Sequence, residues 1–428
     1  MEIILNPSRS QWQSLCERNI PSDADIQLAV EEIIGNVRIN GDKALFEYAA
    51  KFDGFTGSSL ILSEREIDEA AARVAPEVAD AIRKAAANIA KFHEAQLPQP
   101  VEVTTTPGVR CLQKAVAIDK VGLYIPGGRA PLFSTVLMLA IPARIAGCRE
   151  VILCTPENGT HGIAPEILFA AKLCGITKVA RVGGAQAIAA LAFGTKSIPA
   201  VDKIFGPGNR FVTKAKQLVS RVTAIDMPAG PSEVMVMCDA TSNPSFVAAD
   251  MLSQAEHGPD SQAIALCTSE ELAESIAAEV DRLADTLPRR DSIEGSLSHS
   301  RIVVILDHSD MLAFANEYAP EHLIISMASP WDMAWRITAA GSVFIGNYSP
   351  ESAGDYASGT NHTLPTSAWA RSFSGVNIDS FMHKITYQEL TPEGLSDLSG
   401  VITTMARAEG LHAHALAVDI RLNNQANG

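Results

Sequence analysis

A chain of 428 residues has room for two or three domains at roughly 150 residues each, and its 47% hydrophobic and 19% charged residues mark it as globular. A formal net charge of −15, with no run of lysine or arginine, argues against nucleic acid or an anionic membrane as the main partner. The seven cysteines (Cys16, Cys111, Cys148, Cys154, Cys174, Cys238 and Cys267) are odd in number, form no CxxC pair and sit among apolar neighbours, the pattern of reduced, mostly buried thiols in a cytoplasmic protein.

The stretch Met1-Glu2-Ile3-Ile4-Leu5-Asn6-Pro7 has an acidic second residue and a short hydrophobic run, unlike a signal peptide, and no transmembrane stretch follows. Apolar residues at Ile26, Val30, Ile33, Ile34 and Val37 recur with a helical period, and a second helix follows Gly41-Asp42. Ser63 and Glu66 fit a capping box, and the alanine-rich run from Glu77 to Gln96 is helical again. After Pro98-Gln99-Pro100 come two short extended runs, Val101 to Thr105 and Cys111 to Asp119.

From Val121 the rhythm changes to alternating strand and helix. Extended runs at Val121 to Tyr124, Val151 to Cys154, Lys178 to Val182, Lys203 to Phe205 and Thr223 to Ile225 alternate with helical segments at Phe133 to Ala146, Ala164 to Cys174, Ala185 to Phe193 and Asn209 to Val219. A second set follows Pro228-Ala229-Gly230-Pro231-Ser232, with strands at Glu233 to Cys238, Gln262 to Thr268, Arg301 to Leu306, Leu323 to Ser326 and Ser342 to Ile345, and a helix at Trp331 to Ala340. Repeated βα units imply parallel sheets covered by helices. The expected fold is therefore α/β, with two consecutive doubly wound (Rossmann-like) lobes and helical N-terminal and C-terminal extensions.

The expected domains are residues 1–23 as an N-terminal extension, 24–123 with 233–376 as one α/β lobe, 124–232 as the other and 377–428 as a tail for dimer contact. Ligands of such sheets sit at the carboxyl ends of strands. Those ends carry Tyr124-Ile125-Pro126-Gly127-Gly128, Gly183-Gly184-Ala185-Gln186 and Gly206-Pro207-Gly208-Asn209, where glycines admit a ligand to the backbone and a helix amino terminus favours phosphate. Plain βα turns are the alternative, and there is no GxGxxG.

Asn243-Pro244 opens a helix that stops at Gly258-Pro259, with Gln254 and His257 leaving from one face of its last turn. As an isolated pair they read equally as a histidine favoured by the helix dipole beside a solvated glutamine. Glu321-His322 precedes the apolar run Leu323-Ile324-Ile325, where a charged pair needs partners or a task, and an imidazole beside a carboxylate suits proton transfer. The polar segment from Gly346 to Pro365 holds Asp355 and His362, with a Thr-Asn-His triplet that suggests specific contacts. From Thr391 the tail turns helical, and Glu409, His412 and His414 do not all share a face, so such a tail packs more naturally on a partner subunit than it chelates a metal within the chain.

Taken in order, the Tyr124, Val182 to Ala187, Gly206, Asp226 to Glu233, Leu252 to Asp260, Pro320 to Leu323 and Ser352 to His362 motifs resemble the histidinol dehydrogenase family over almost the whole chain. The resemblance implies a zinc- and NAD-dependent homodimer that oxidises L-histidinol through L-histidinaldehyde to L-histidine, the last step of histidine biosynthesis. It implies zinc on Gln254, His257 and Asp355, completed by His414 of the other subunit, an oxygen and nitrogen set suited to a borderline cation. It makes His322 the base for both oxidations and Glu321 the group that activates water. Ser232 and Glu409 hold the substrate beside the metal ligands and the doublet, and Tyr124, Gln186 and Asn209 contact NAD. A related zinc-dependent, NAD-linked dehydrogenase of another alcohol, a zinc hydrolase, or a thiohemiacetal route through Cys111 or Cys148 are the alternatives.

Overall fold

The alternation from Val121 onward builds two parallel sheets in the computed structural model, which describes residues 1–18, 24–127, 131–159, 162–227 and 230–423. The five-stranded sheet runs Lys178–Ala180, Glu150–Cys154, Lys120–Tyr124, Lys203–Phe205, Ala224–Ile225 across its width. The six-stranded sheet runs Glu2–Leu5, Arg301–Val304, Gln262–Cys267, Glu233–Cys238, His322–Ser326, Ser342–Ile345. Apart from Glu2–Leu5, each sheet has the same order of third, second, first, fourth and fifth strand, so each has a topological switch point between its first and fourth. The doubly wound expectation holds, and every residue of Glu233–Cys238 and Gln262–Cys267 is buried, as strands covered on both faces require.

Most helices fall where their caps and periods put them. Ser63 accepts from the Glu66 N–H and Glu66 reaches back, closing the expected box on Glu64–Ala71. Asn243 caps Pro244–Ala255 through the Ser245 N–H, and Thr391 caps Pro392–Ala408 through the Gly394 N–H. Three segments differ. The helix expected from Trp331 to Ala340 is confined to Pro330–Ala334. Glu351–Tyr356, read as loop, is helical, and Glu2–Leu5 is a strand that extends the second sheet rather than a detached extension.

Residues 24–123 do not all join the six-stranded lobe with which the sequence groups them. Val30, Val37, Ala44, Leu45 and Tyr48 share one apolar core with Ile152, Ala180, Ile188 and Leu191 of the five-stranded lobe. Backbone hydrogen bonds from Leu62 to Val179 and from Arg181 to Leu60 tie the chain to that sheet's edge. The apolar stripe of Ala24–Asn40 thus covers the helix Gly184–Phe193, which is apolar nearly all round.

The chain divides into two compact units. Met1–Gln96 and Ile118–Phe381 form the first, with both parallel sheets. Leu97–Ala117 and Met382–Gly428 form the second, in which Val101–Thr106, Val109–Ala117 and Met382–Leu390 make an antiparallel sheet accompanied by the helices Pro392–Ala408 and His412–Asn423. No helix among the described residues is long and apolar enough to cross a membrane.

Candidate active site

The helix Pro244–Ala255 follows strand Glu233–Cys238 and returns to the sheet edge where Gln262–Cys267 begins. Its carboxyl end therefore delivers Gln254 and His257 to the amino edge of the six-stranded sheet, the edge at which Glu321 and His322 enter their strand. Asp355 reaches the same place from Glu351–Tyr356. Its Oδ1 lies 3.6 Å from His322 Nε2, too far for a hydrogen bond, and that buried Nε2 has no other partner. Ligand atoms of His257, Glu351 and Asp355 all lie within 4.8 Å of one another. Hydrogen bonding orients the Gln254 amide so that its nitrogen donates to both Glu351 carboxylate oxygens, at 3.2 and 3.3 Å, which turns the carbonyl oxygen away from Glu351.

The doublet is held by one residue of the neighbouring strand. The Glu233 N–H donates to Glu321 Oε2 at 2.8 Å, and His322 Nδ1 lies 3.1 Å from the Glu233 carbonyl oxygen. A carbonyl can only accept, so Nδ1 carries a hydrogen, and proton gain or loss at this imidazole falls on Nε2, which faces the site. Burial pushes the Glu321 and Glu351 carboxyls up, against the pull of His322. Burial alone would lower His322, but Glu321, Glu351 and Asp355 outweigh it and hold the imidazole well above its ordinary value. Several carboxylates around two histidines, one ring nitrogen without a hydrogen-bond partner and a glutamine carbonyl set free make a donor set for a divalent cation, and its oxygen and nitrogen atoms fit zinc.

At the opposite edge of the other sheet stand the three glycine loops. The buried Tyr124 hydroxyl accepts from the Gly184 N–H at 3.1 Å, and a Cβ on Gly184, whose φ is +66°, would lie 2.7 Å from Gln186 Oε1. Gly206, at φ +123°, is pressed on Tyr124, where a Cβ would fall 2.0 Å from the carbonyl oxygen. Asn209 spends its Oδ1 capping Arg210–Val219 through the N–H groups of Phe211 and Val212, which leaves its amide nitrogen facing outward. Tyr124 and Asn209 flank this sheet's switch point, and Gln186 opens the helix beyond Lys178–Ala180. Gly128, Pro228 and Ala229 of the sequence motifs lie outside the described residues.

The carboxyl-end expectation thus meets a difference in the six-stranded sheet, whose cluster sits at the amino edge because its residues come from helix ends and strand starts. Glu351 is missing from the sequence-based set, although it stands four residues before Asp355 on one helical face. Ser232 is half-buried just before Glu233. The Thr-Asn-His triplet does make specific contacts: Asn361 donates to the Met138 carbonyl at 2.6 Å, and His362 bridges the Asp355 carbonyl and Thr135 Oγ1 at 3.0 and 3.2 Å. Tyr348 and Tyr356, by contrast, are exposed. Glu409 and His414 are exposed residues of the second unit. Burial drives the Cys148 thiol up to about 12, which removes its thiolate, and Cys111 lies in the antiparallel sheet of the second unit.

The histidinol dehydrogenase family model matches residues 16–422. The chain is 54% identical to the histidinol dehydrogenase of Bacteroides fragilis over 99% of both sequences, and 52% identical to that of Salmonella typhimurium over 97% of this chain and 96% of the relative. The crystal structure of histidinol dehydrogenase from Elizabethkingia anophelis superposes with a TM-score of 0.97 at 48% identity, covering 100% of this chain and 99% of that one. A fold shared from end to end, with identities far beyond what chance allows, shows that the chain belongs to the histidinol dehydrogenase family.

Proposed function

We propose that the protein oxidises L-histidinol through the aldehyde to L-histidine with two molecules of NAD, closing histidine biosynthesis. The observation that carries this reading is the meeting of Gln254, His257, Asp355 and the Glu321–His322 doublet at one sheet edge. Gln254, His257 and Asp355 would hold zinc, which when bound orients the substrate's nitrogens and offsets the negative charge of the carboxylates. His322 Nε2 takes the hydroxyl proton while the carbon yields a hydride to NAD. Glu321 then removes a proton from the water that adds to the aldehyde, and His322 acts again as the hydrate gives up the second hydride. Ser232 and the metal ligands hold the substrate, while Tyr124, Gln186 and Asn209 receive NAD at the glycine loops. Neither a zinc hydrolase nor a related dehydrogenase of another alcohol is favoured by the family, its relatives or the shared fold.

The site is completed across a homodimer in this reading. Glu409 and His414 of the partner subunit would add a substrate contact and the last zinc ligand. The exposed Val401, Met405, Leu411, Leu416 and Ile420 of the tail support its burial against a second copy. Seven free cysteines, buried or half-buried, support a cytoplasmic setting. The test is stoichiometry: purified protein with zinc, NAD and L-histidinol should release two NADH per histidinol. One NADH would indicate a simple alcohol dehydrogenase, and none with zinc bound would overturn the reading.

A further inference from the structure

Arg18 carries a buried charge that no step above uses. Its side chain is 10% exposed and that of Glu233 1%, and they meet as a two-pronged pair, with Nε to Oε1 at 3.0 Å and Nη2 to Oε2 at 3.1 Å. The same Nη2 donates to the Tyr318 carbonyl at 2.5 Å, and the guanidinium lies 3.6 Å over the Tyr318 ring. Arg18 thus grips two segments at once. One is the start of the strand whose main chain holds Glu321 and His322. The other is the last residue of the helix His308–Tyr318, from which the chain turns through Ala319 and Pro320 into Glu321.

We infer that Arg18 and Glu233 are positioning residues that clamp the Glu321–His322 doublet. The inference rests on the acid–base role proposed for that doublet. Glu233 hydrogen-bonds both members through its backbone, while its carboxylate is turned to Arg18 and the Ser367 N–H. What the carboxylate does is fix the peptide groups: Arg18 and the Ser367 N–H, which donates to Oε1 at 2.7 Å, hold it from two sides. A shift of the Glu233 peptide would loosen the bond that keeps hydrogen on His322 Nδ1 and the one that aims the Glu321 carboxylate. An ion pair buried this deeply is weak evidence for net stability, because desolvation offsets its attraction. Its geometry here accounts for it better, since it is directed at the two peptides that carry the doublet.

The test compares Arg18→Met, Arg18→Lys and Glu233→Gln with Arg9→Met, which deletes the same charge from an exposed pair with Asp310. Zinc content and melting temperature are recorded for each. The clamp predicts that Arg18→Met lowers kcat by about tenfold to a hundredfold with the KM for NAD nearly unchanged, and that Arg18→Lys, which keeps the charge but not the fork, recovers only part of the loss. Nitrogen-15 spectra of the His322 imidazole should lose the fixed Nδ1–H tautomer in Arg18→Met and keep it in Arg9→Met. If Arg18→Met does not fold, Arg18→Lys and Glu233→Gln carry the test, each with a measurable fall in kcat at intact zinc content. Folded variants with kcat and tautomer equal to those of Arg9→Met, whatever their melting temperature, overturn the clamp. His322→Gln separates the two levels: full activity in that variant sinks the acid–base assignment itself, whereas its inactivity beside normal Arg18 variants sinks only the clamp.

Discussion

Lys216→Met should damage both the stability of the five-stranded lobe and the Gly206–Asn209 loop proposed to receive NAD. Lys216 Nζ lies 2.5 Å from Asp226 Oδ1, with the two side chains 5% and 1% exposed, and it also donates to the Gly206 carbonyl at 2.9 Å. Asp226 in turn accepts from the Gly206 N–H at 2.8 Å and the Met227 N–H at 2.7 Å. The pair therefore grips Gly206 from both sides and holds it at φ +123° against Tyr124. Methionine keeps the length of the side chain and removes its charge, so Asp226 retains two N–H donors but no cation. Breaking a buried pair in this way costs about 3–5 kcal/mol, and for a body this large that lowers Tm by roughly 5 °C. Calorimetry would read the stability, and initial rates the KM for NAD, expected to rise about tenfold as the Asn209 loop loosens. Lys216→Met with Asp226→Asn should regain most of the loss. A single variant costing less than about 1 kcal/mol, the value of an exposed pair, with a double variant no better, would refute the reasoning.

Three further outcomes concern the candidate metal site and Asp250 on the helix Pro244–Ala255 that leads to it. Carboxylates hold His322 above its ordinary value without metal, and a bound divalent cation reverses that field, so zinc binding near neutral pH should expel protons; titration calorimetry in buffers of different ionisation enthalpy measures this, and zero release contradicts it. Glu351→Ala should weaken zinc binding about 10–100-fold in chelator competition, because the Gln254 amide loses the group that turns its carbonyl outward; unchanged affinity would remove Glu351 from the site. Burial raises Asp250 from 3.8 to about 7, so the folded state binds the extra proton and the protein loses stability as pH rises through that window. Asp250→Asn should therefore raise Tm at alkaline pH more than in acid, and equal shifts at both would show that the group titrates normally.

What could be read from the sequence depended on whether a signal was local. Asn243, Ser63 and Thr391 announce helices because a cap needs only the next few residues. Gln254 and His257 share a face by spacing alone, yet spacing cannot say which sheet edge that face reaches; the crossover decides it. Glu351 was hidden because a run rich in Ser and Gly reads as loop, which conceals the helical step to Asp355. Met382–Leu390 is exposed at nearly every position, so no apolar alternation marks it as a strand, and its pairing with Val109–Ala117 spans a gap of some 270 residues. The Arg18–Glu233 pair is equally remote, 215 residues apart.

The two sheets share a strand order but use opposite edges, and hydrogen bonding explains why. At the carboxyl edge of the six-stranded sheet the switch point is already filled. Ser242 donates to the Ser326 carbonyl, Ser326 to Asn347 Oδ1 at 2.6 Å, Asn347 to the Thr241 carbonyl at 3.0 Å, and Asp239 accepts from the Ala328 N–H at 2.9 Å. Groups that satisfy one another have little left to offer a ligand. The unsatisfied Nε2 of His322 lies at the other edge, and there the helix ends deliver the metal donors. In the five-stranded sheet the Gly206 N–H and carbonyl are also bonded, to Asp226 and Lys216, and the carboxyl edge instead offers the exposed Asn209, which caps the helix beyond the glycine turn. Asp355 belongs to the segment that also ties the lobes together, since Asn361 and His362 bind the helix Phe133–Ala146, which follows the Tyr124 loop. The donors proposed for zinc and the loops proposed for NAD are thus linked through a few bonded residues. A change at Thr135 or Asn361 should therefore reach zinc affinity and the KM for NAD together.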